Sequence, residues 1–255
     1  MMKMRLCILP LVLCCLCSCS RYYYKPNGVN APLLTNANEA HFSANVSGDL
    51  AFTDMQASYS PINHLGVIGN FSTYSYKATD ADVSSGNVDA RAHLAEMGAG
   101  YYYGTKGDIK IVGEIYGGAG GGKLQSDVNM NFFRSFIQPG FGIRTPFFEF
   151  SINCRIAEIR YSNLNANGHD STYLAQQNLI YGSNKSITNT NYIFAEPAIT
   201  FRGGYKFIMV QSQYVISNAI SHVPWNYNGG LINVGLSFQL EDLLQVINHS
   251  KQKKN

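Results

Sequence analysis

Between residues 40 and 240 the chain carries ten runs in which apolar and polar or small side chains alternate, and in each run the charges fall on one parity and the large apolar residues on the other. A period of two is the mark of a strand with one apolar face, because successive side chains point to opposite sides. The last run is the clearest: Ile232, Val234, Leu236, Phe238 and Leu240 are separated by Asn233, Gly235, Ser237 and Gln239. Phe148, Phe150, Ile152, Cys154 and Ile156 likewise oppose Glu149, Ser151, Asn153 and Arg155, while Ala95, Met97, Ala99, Tyr101 and Tyr103 oppose Glu96, Gly98 and Gly100. Ile109, Ile111 and Ile115 oppose Lys110 and Glu114 in the same way. Helical periodicity is absent from all of these stretches, so the expectation is an all-β fold.

Only 14% of the residues are charged, against roughly 25% in an average soluble domain. Nine of these charges, Glu96, Lys110, Glu114, Arg134, Arg144, Glu149, Arg155, Glu196 and Arg202, sit on the polar face of the middle strands. A soluble barrel turns its charges outward; a membrane barrel turns them into its lumen and presents the apolar face to lipid. Connection lengths point the same way. Short links at residues 61–64, 105–107, 145–146 and 203–204 alternate with Asn-, Ser-, Gly- and Tyr-rich stretches at 77–90, 117–130, 163–189 and 218–230. Such asymmetry is how transmembrane barrels distribute periplasmic turns and extracellular loops. The sequence therefore predicts an up-and-down antiparallel transmembrane β-barrel over residues 39–240, of about ten strands with eight as the smaller count, and long loops at one end. Ten strands enclose a lumen little wider than one that side chains fill, so paired Glu and Arg would plug it. A narrow channel for small solutes or ions, in which an Arg track can also select anions, is the alternative. A soluble barrel binding an apolar ligand is a further alternative, and it requires Ile232, Val234, Leu236 and Phe238 to face inward and the glutamates outward.

The N-terminus reads as an address. Lys3 and Arg5 precede an apolar run from residue 6 to 16, of signal-peptide length and too short to span a bilayer. The run closes in Leu16, Cys17, Ser18, Cys19, which resembles the lipobox of bacterial lipoproteins; the resemblance implies removal of residues 1–18 and a diacylglycerol-modified, acylated Cys19. Residues 19–38 have no periodicity and read as a lipidated tether. No acidic cluster follows Cys19, and because acidic residues there belong to the surface-export signal of some Bacteroidota lipoproteins, the expectation is a lipid in the periplasmic leaflet of the outer membrane. Asn233, Gly235, Phe238 and Leu240 resemble the assembly signal that outer-membrane barrels carry in their last strand for the barrel-assembly machinery. Residues 241–255 would form a short polar or amphipathic tail. The whole body, with the phrase Tyr59, Ser60, Pro61, Ile62, Asn63, His64, Leu65, resembles the small outer-membrane β-barrel lipoproteins of Bacteroidota. That resemblance implies fold and place, with outer-membrane lipid and the assembly machinery as partners and an extracellular ligand open; it supplies no catalytic residue and no cofactor.

Other chemistry is suggested and set aside. Gly117 to Gly122 followed by Lys123 matches part of a phosphate-binding loop, but Leu124 stands where Ser or Thr should hold magnesium. The six histidines have no metal-ligand spacing and five of six cysteines lie in the first 19 residues, so no metal is expected. His169, Asp170 and Ser171 are sequence neighbours in the longest loop, which does not make a triad; Asp170, Ser171 and Thr172 also resemble a short O-glycosylation acceptor. Trp225, beside His222, Pro224 and Tyr227, is expected as an interfacial anchor. A net charge of +3 gives no footprint for nucleic acid. The sequence reading is a non-enzymatic outer-membrane barrel with a structural or surface-interaction role.

Overall fold

The computed structural model describes residues 22–47, 51–78, 88–181, 185–205 and 207–240; the expected signal peptide, Cys19 and the tail at 241–255 lie outside the described residues. Ten strands account for the body: β1 (Ala40–Ser47), β2 (Phe52–Ile62), β3 (Leu65–Ala78), β4 (Val88–Gly104), β5 (Lys110–Gln125), β6 (Asn129–Arg144), β7 (Phe148–Asn165), β8 (Asn191–Tyr205), β9 (Ile208–Ile216) and β10 (Gly230–Gln239). Each pairs antiparallel with its predecessor, and β10 pairs with β1 from His41↔Gln239 to Ser47↔Asn233. The sheet therefore closes on itself and has no free edge, which leaves no row of unpaired backbone groups. This is the up-and-down ten-stranded barrel that the alternation predicts.

Every strand obeys the predicted parity. Large apolar residues point out and are exposed on all ten, for example Val46, Met55, Phe71, Met97, Ile115, Ile137, Ile152, Phe201, Val210 and Val234. Inward positions are buried, and in the middle of the strands many are polar, among them Ser43, Asp54, Asn70, Glu96, Arg134, Asn153, Glu196 and Gln213, beside apolar ones such as Ile68, Tyr116, Phe136 and Ile159. Ile232, Val234 and Leu236 face outward while Glu96, Glu114, Glu149 and Glu196 face inward and are buried, which overturns the inward-apolar soluble barrel. Tyr59, Tyr101, Tyr103, Phe147 and Tyr205 are exposed near the end that carries the β2–β3, β4–β5, β6–β7 and β8–β9 turns.

Two expectations about connections change. Residues 117–125 are not a loop: β5 runs through Gly117, Gly118, Gly120, Gly121 and Gly122 to Gln125, and only residues 126–128 separate it from β6. Inward Gly118, Gly120 and Gly122 lie opposite Phe136, Arg134 and Phe132 of β6, so the glycines are the floor on which these large side chains lie. Trp225 is not an interfacial anchor; it is 2% exposed and packs edge-on against Tyr161 and Tyr192 over the mouth of the lumen. The connection at 166–190 holds a short helix α1 (Ser171–Gln176), whose N-terminus is capped by Asp170 accepting from the Tyr173 backbone N–H at 2.8 Å. His169 stacks on Tyr173, so this trio serves the local turn.

Closure can be tested at the β1–β10 seam, where Phe42 lies directly opposite Phe238. Opposed residues of antiparallel strands are about 4.5–5.5 Å apart at Cα, within disulfide reach. Phe42→Cys with Phe238→Cys, in a Cys154→Ser background, should cross-link under mild oxidation and move the denatured band; an open sheet would leave both thiols titratable.

Candidate functional site

Residues 22–38, expected as a tether, lie elsewhere. From Tyr23 to Leu34 every residue except Lys25 is buried, because this stretch runs as extended chain down the inside of the barrel. It enters at the end that holds the 166–190 and 217–229 connections. There the Tyr23 N–H donates to Asn226 O at 2.9 Å, the Asn228 N–H donates to Tyr24 O at 2.8 Å, and the Tyr23 hydroxyl donates to Asp127 at 3.0 Å. It leaves at the turn end, where Ala37 N–H donates to Asn63 Oδ1 and Asn38 N–H to Ser60 O. Asn38, with φ of 64°, then turns the chain back into β1.

Beyond the bridge of Tyr24 to Tyr227 the buried segment has no strand beside it, so its amides and carbonyls must be satisfied by something else. Inward side chains of the barrel do this. Gln213 accepts from Val29 N–H at 2.9 Å and donates to Val29 O at 2.7 Å, replacing one neighbouring strand. Gln138 donates to Asn30 O, Arg202 to Ala31 O and Arg144 to Leu33 O, while Glu114 accepts from Leu33 N–H at 3.1 Å. Gly28 lies close against β2: a Cβ there would stand 2.3 Å from Asp54 Oδ2 and 2.4 Å from Gln56 Nε2, so a larger residue would have to displace both side chains.

The predicted lumen charges grip this segment in two tiers. In the upper tier Arg134 donates through Nε to Glu96 at 2.6 Å, and its other nitrogens reach the Glu96 carboxylate, the Tyr24 hydroxyl and the Asn27 side chain. Arg155 donates through Nε to Glu196 at 2.6 Å and through its terminal nitrogens to the Asn27 and Gly28 carbonyls. Tyr24 donates to Glu196, and Asn27 donates to Glu96 at 3.0 Å. Arg134 and Arg155 are fully buried. In the lower tier Arg202 bonds Glu149 at 2.7 Å, while Arg144 meets Glu149 at 3.3 Å and Glu39 at 2.8 Å. Burial pushes the Glu39 carboxyl up, but the Arg144 guanidinium and hydrogen bonds from Thr35 and Asn36 outweigh it and hold Glu39 below its ordinary value. Lys110 stands apart at the turn-end rim, half-buried, and donates to Thr35 at 3.1 Å.

All nine predicted charges thus reach the lumen or its rim, but they meet across the plug rather than only each other. Tyr24, Asn27, Asn30, Leu33 and Glu39 were not foreseen, because an aperiodic Asn- and Pro-rich stretch reads alike in water and in a polar lumen. Gly120 belongs to the Gly-rich run whose phosphate-loop likeness was set aside; its place between Glu96 and Arg134 on neighbouring strands is what lets the two side chains meet above it. Of the proposed assembly signal, Asn233 and Gly235 face inward and Phe238 and Leu240 outward, with Phe238 beside Phe42. Among the described residues no group of three or more His, Cys, Asp or Glu is placed to hold a metal ion.

Removing one partner of a buried pair strands the other charge and costs about 3–5 kcal/mol, whereas replacing both with apolar residues costs far less. Arg134→Met should therefore destabilise by about that amount, and Arg134→Met with Glu96→Met by clearly less than the sum of the two single losses, read from denaturant midpoints. Additive losses would mean that the two side chains do not act as a pair.

No protein-family model matches the chain, and no characterised protein matches it in sequence.

Proposed function

We propose that this is a non-enzymatic, lipid-anchored barrel of the bacterial outer membrane, closed by its own N-terminal segment, with a structural or surface-interaction role carried by the long connections at one end. The observation that supports it best is the outward face. Large exposed apolar residues occur on all ten strands, Met97 at 74% and Ile232 at 57% exposure among them, and a soluble monomer rarely presents an apolar patch beyond a few hundred Å². A continuous apolar belt has lipid as its natural solvent. The aromatic residues at the turn end fit an interfacial girdle. From Tyr24 to Leu33 the plug covers about 30 Å at full extension, comparable to a hydrocarbon core. Filling a ten-stranded lumen with chain, and neutralising the guanidinium groups in place, argues for a wall rather than a passage. The resemblance to Bacteroidota barrel lipoproteins agrees with this place and implies delivery by the barrel-assembly machinery.

A test of the membrane reading is Val234→Arg, near the middle of β10. In a bilayer it should cost about 2–4 kcal/mol of folding free energy, read in vesicles, whereas a water-facing site would tolerate it within experimental error.

A narrow channel is the second reading, favoured by a different observation. On β1, β2 and β10 the buried His41 Nε2, the Ser58 hydroxyl and both side-chain polar atoms of Asn233 lack a protein partner, so water in the lumen would satisfy them. Planar-bilayer recording of refolded protein separates the two, using only preparations whose boiled and unboiled forms migrate differently. The closed barrel predicts silence, and discrete conductance once residues 22–34 are deleted. Steps from the intact protein whose ion selectivity shifts with Glu114→Gln would establish the channel instead.

A further inference from the structure

The ten strands place the start of β1 and the end of β10 at the same end of the barrel, but the chain crosses once more before β1 begins. The plug is an eleventh crossing. Its upper contacts are all with the long-connection end: Asn226 and Asn228 of the 217–229 connection, Asp127 of the 126–128 turn and Gln177 beyond α1. The aromatic lid formed by Trp225, Tyr161, Tyr192 and Phe194 packs around Tyr23 and Tyr24 at that level. Its lower contacts, with Asn63, Ser60, Lys110 and Arg144, are all with the turn end. The direction of threading is therefore fixed by described residues at both mouths.

Cys19 precedes Tyr22 by three residues, and three residues reach at most about 10 Å. From the position of Tyr22, beside the long connections, a lipid on Cys19 cannot reach the leaflet at the turn end, which lies about 30 Å away along the lumen. We infer that the acylated N-terminus inserts into the leaflet on the long-connection side. With the proposed orientation, turns toward the periplasm, that is the outer leaflet, and the anchor shares the cell-surface face with the 166–190 and 217–229 connections. This reverses the periplasmic attachment expected from the residues after Cys19, and it rests on the membrane-barrel reading proposed above.

The experiment uses the full-length protein in an outer-membrane host. A cleavage site for a sequence-specific protease is inserted, one per variant, between Ser20 and Arg21, between Asn167 and Gly168 in the long connection, and at Lys106 in the β4–β5 turn. Intact and permeabilised cells are then treated with the protease. The inference predicts that the first two sites are cut from one side of the membrane and the third only from the other. The Ser20 site cut together with the Lys106 site overturns it while leaving the membrane barrel standing. All three cut alike overturns the membrane reading itself. Arg21→Cys in a Cys154→Ser background, labelled with a membrane-impermeant thiol reagent, gives the same readout without an insertion, and heat-shifted mobility certifies that each variant is folded.

Discussion

The structure depends on guanidinium groups held out of water. Arg134 and Arg155 have no solvent contact, and taking an ion out of water costs several kcal/mol even after relaxation. Such a charge is tolerable only where each guanidinium nitrogen finds an acceptor. Glu96 and Glu196 supply the opposite charges, but a guanidinium has five N–H groups, and the remaining acceptors are the carbonyls of Asn27 and Gly28, the Asn27 side chain and the Tyr24 hydroxyl. The dependence runs both ways. The plug has no secondary structure of its own and obtains its backbone partners from the same side chains. Without the plug the lumen charges would need water in its place, and without the lumen the plug would lose its backbone partners, which is why a barrel with so few charges concentrates them in its middle strands.

Two faces, a buried inner one carrying the charges and an exposed apolar outer one, are written into the same alternation. Because period two assigns each residue to one face, the parity of Glu96 against Met97, or Glu149 against Phe150, foresaw which way the charges point, and the count of such runs with their alternating short and long connections foresaw a barrel of about ten strands. What the alternation could not convey was the content of the lumen. An extended segment in a polar tube is contacted from all sides, so Tyr24, Asn27 and Asn30 leave no periodic trace. The Gly-rich run failed for a related reason. Glycine ordinarily weakens a strand, and that it serves here depends on Phe132, Arg134 and Phe136 lying opposite, a pairing that only register reveals. Trp225 was misplaced because an amphipathic ring suits an interface and an aromatic lid equally well.

The two ends of the barrel differ in kind. The turn end is trimmed to tight links and ringed with exposed tyrosine and phenylalanine, with Phe147 stacked on Tyr205. The opposite end is built up: α1 packs Leu174 against Leu179 and Ile187, and Trp225 joins Tyr192, Phe194 and Tyr227 in the same cluster. A packed roof of this sort holds its outer surface in a defined shape, as recognition of something outside would require.

A closed sheet is a hoop, and a hoop of ten strands flattens easily because ovalising it breaks no hydrogen bond between strands. The plug changes the mechanics by acting as a hub. Spokes run to it from Asn70 on β3, Glu96 on β4, Glu114 on β5, Arg134 on β6, Arg155 on β7, Arg202 on β8 and Gln213 on β9. Any ellipse would lengthen some spokes while compressing others, and each is a hydrogen bond between buried groups. The cross-section is thereby braced against lateral pressure, and the roof inherits a rim that keeps its shape.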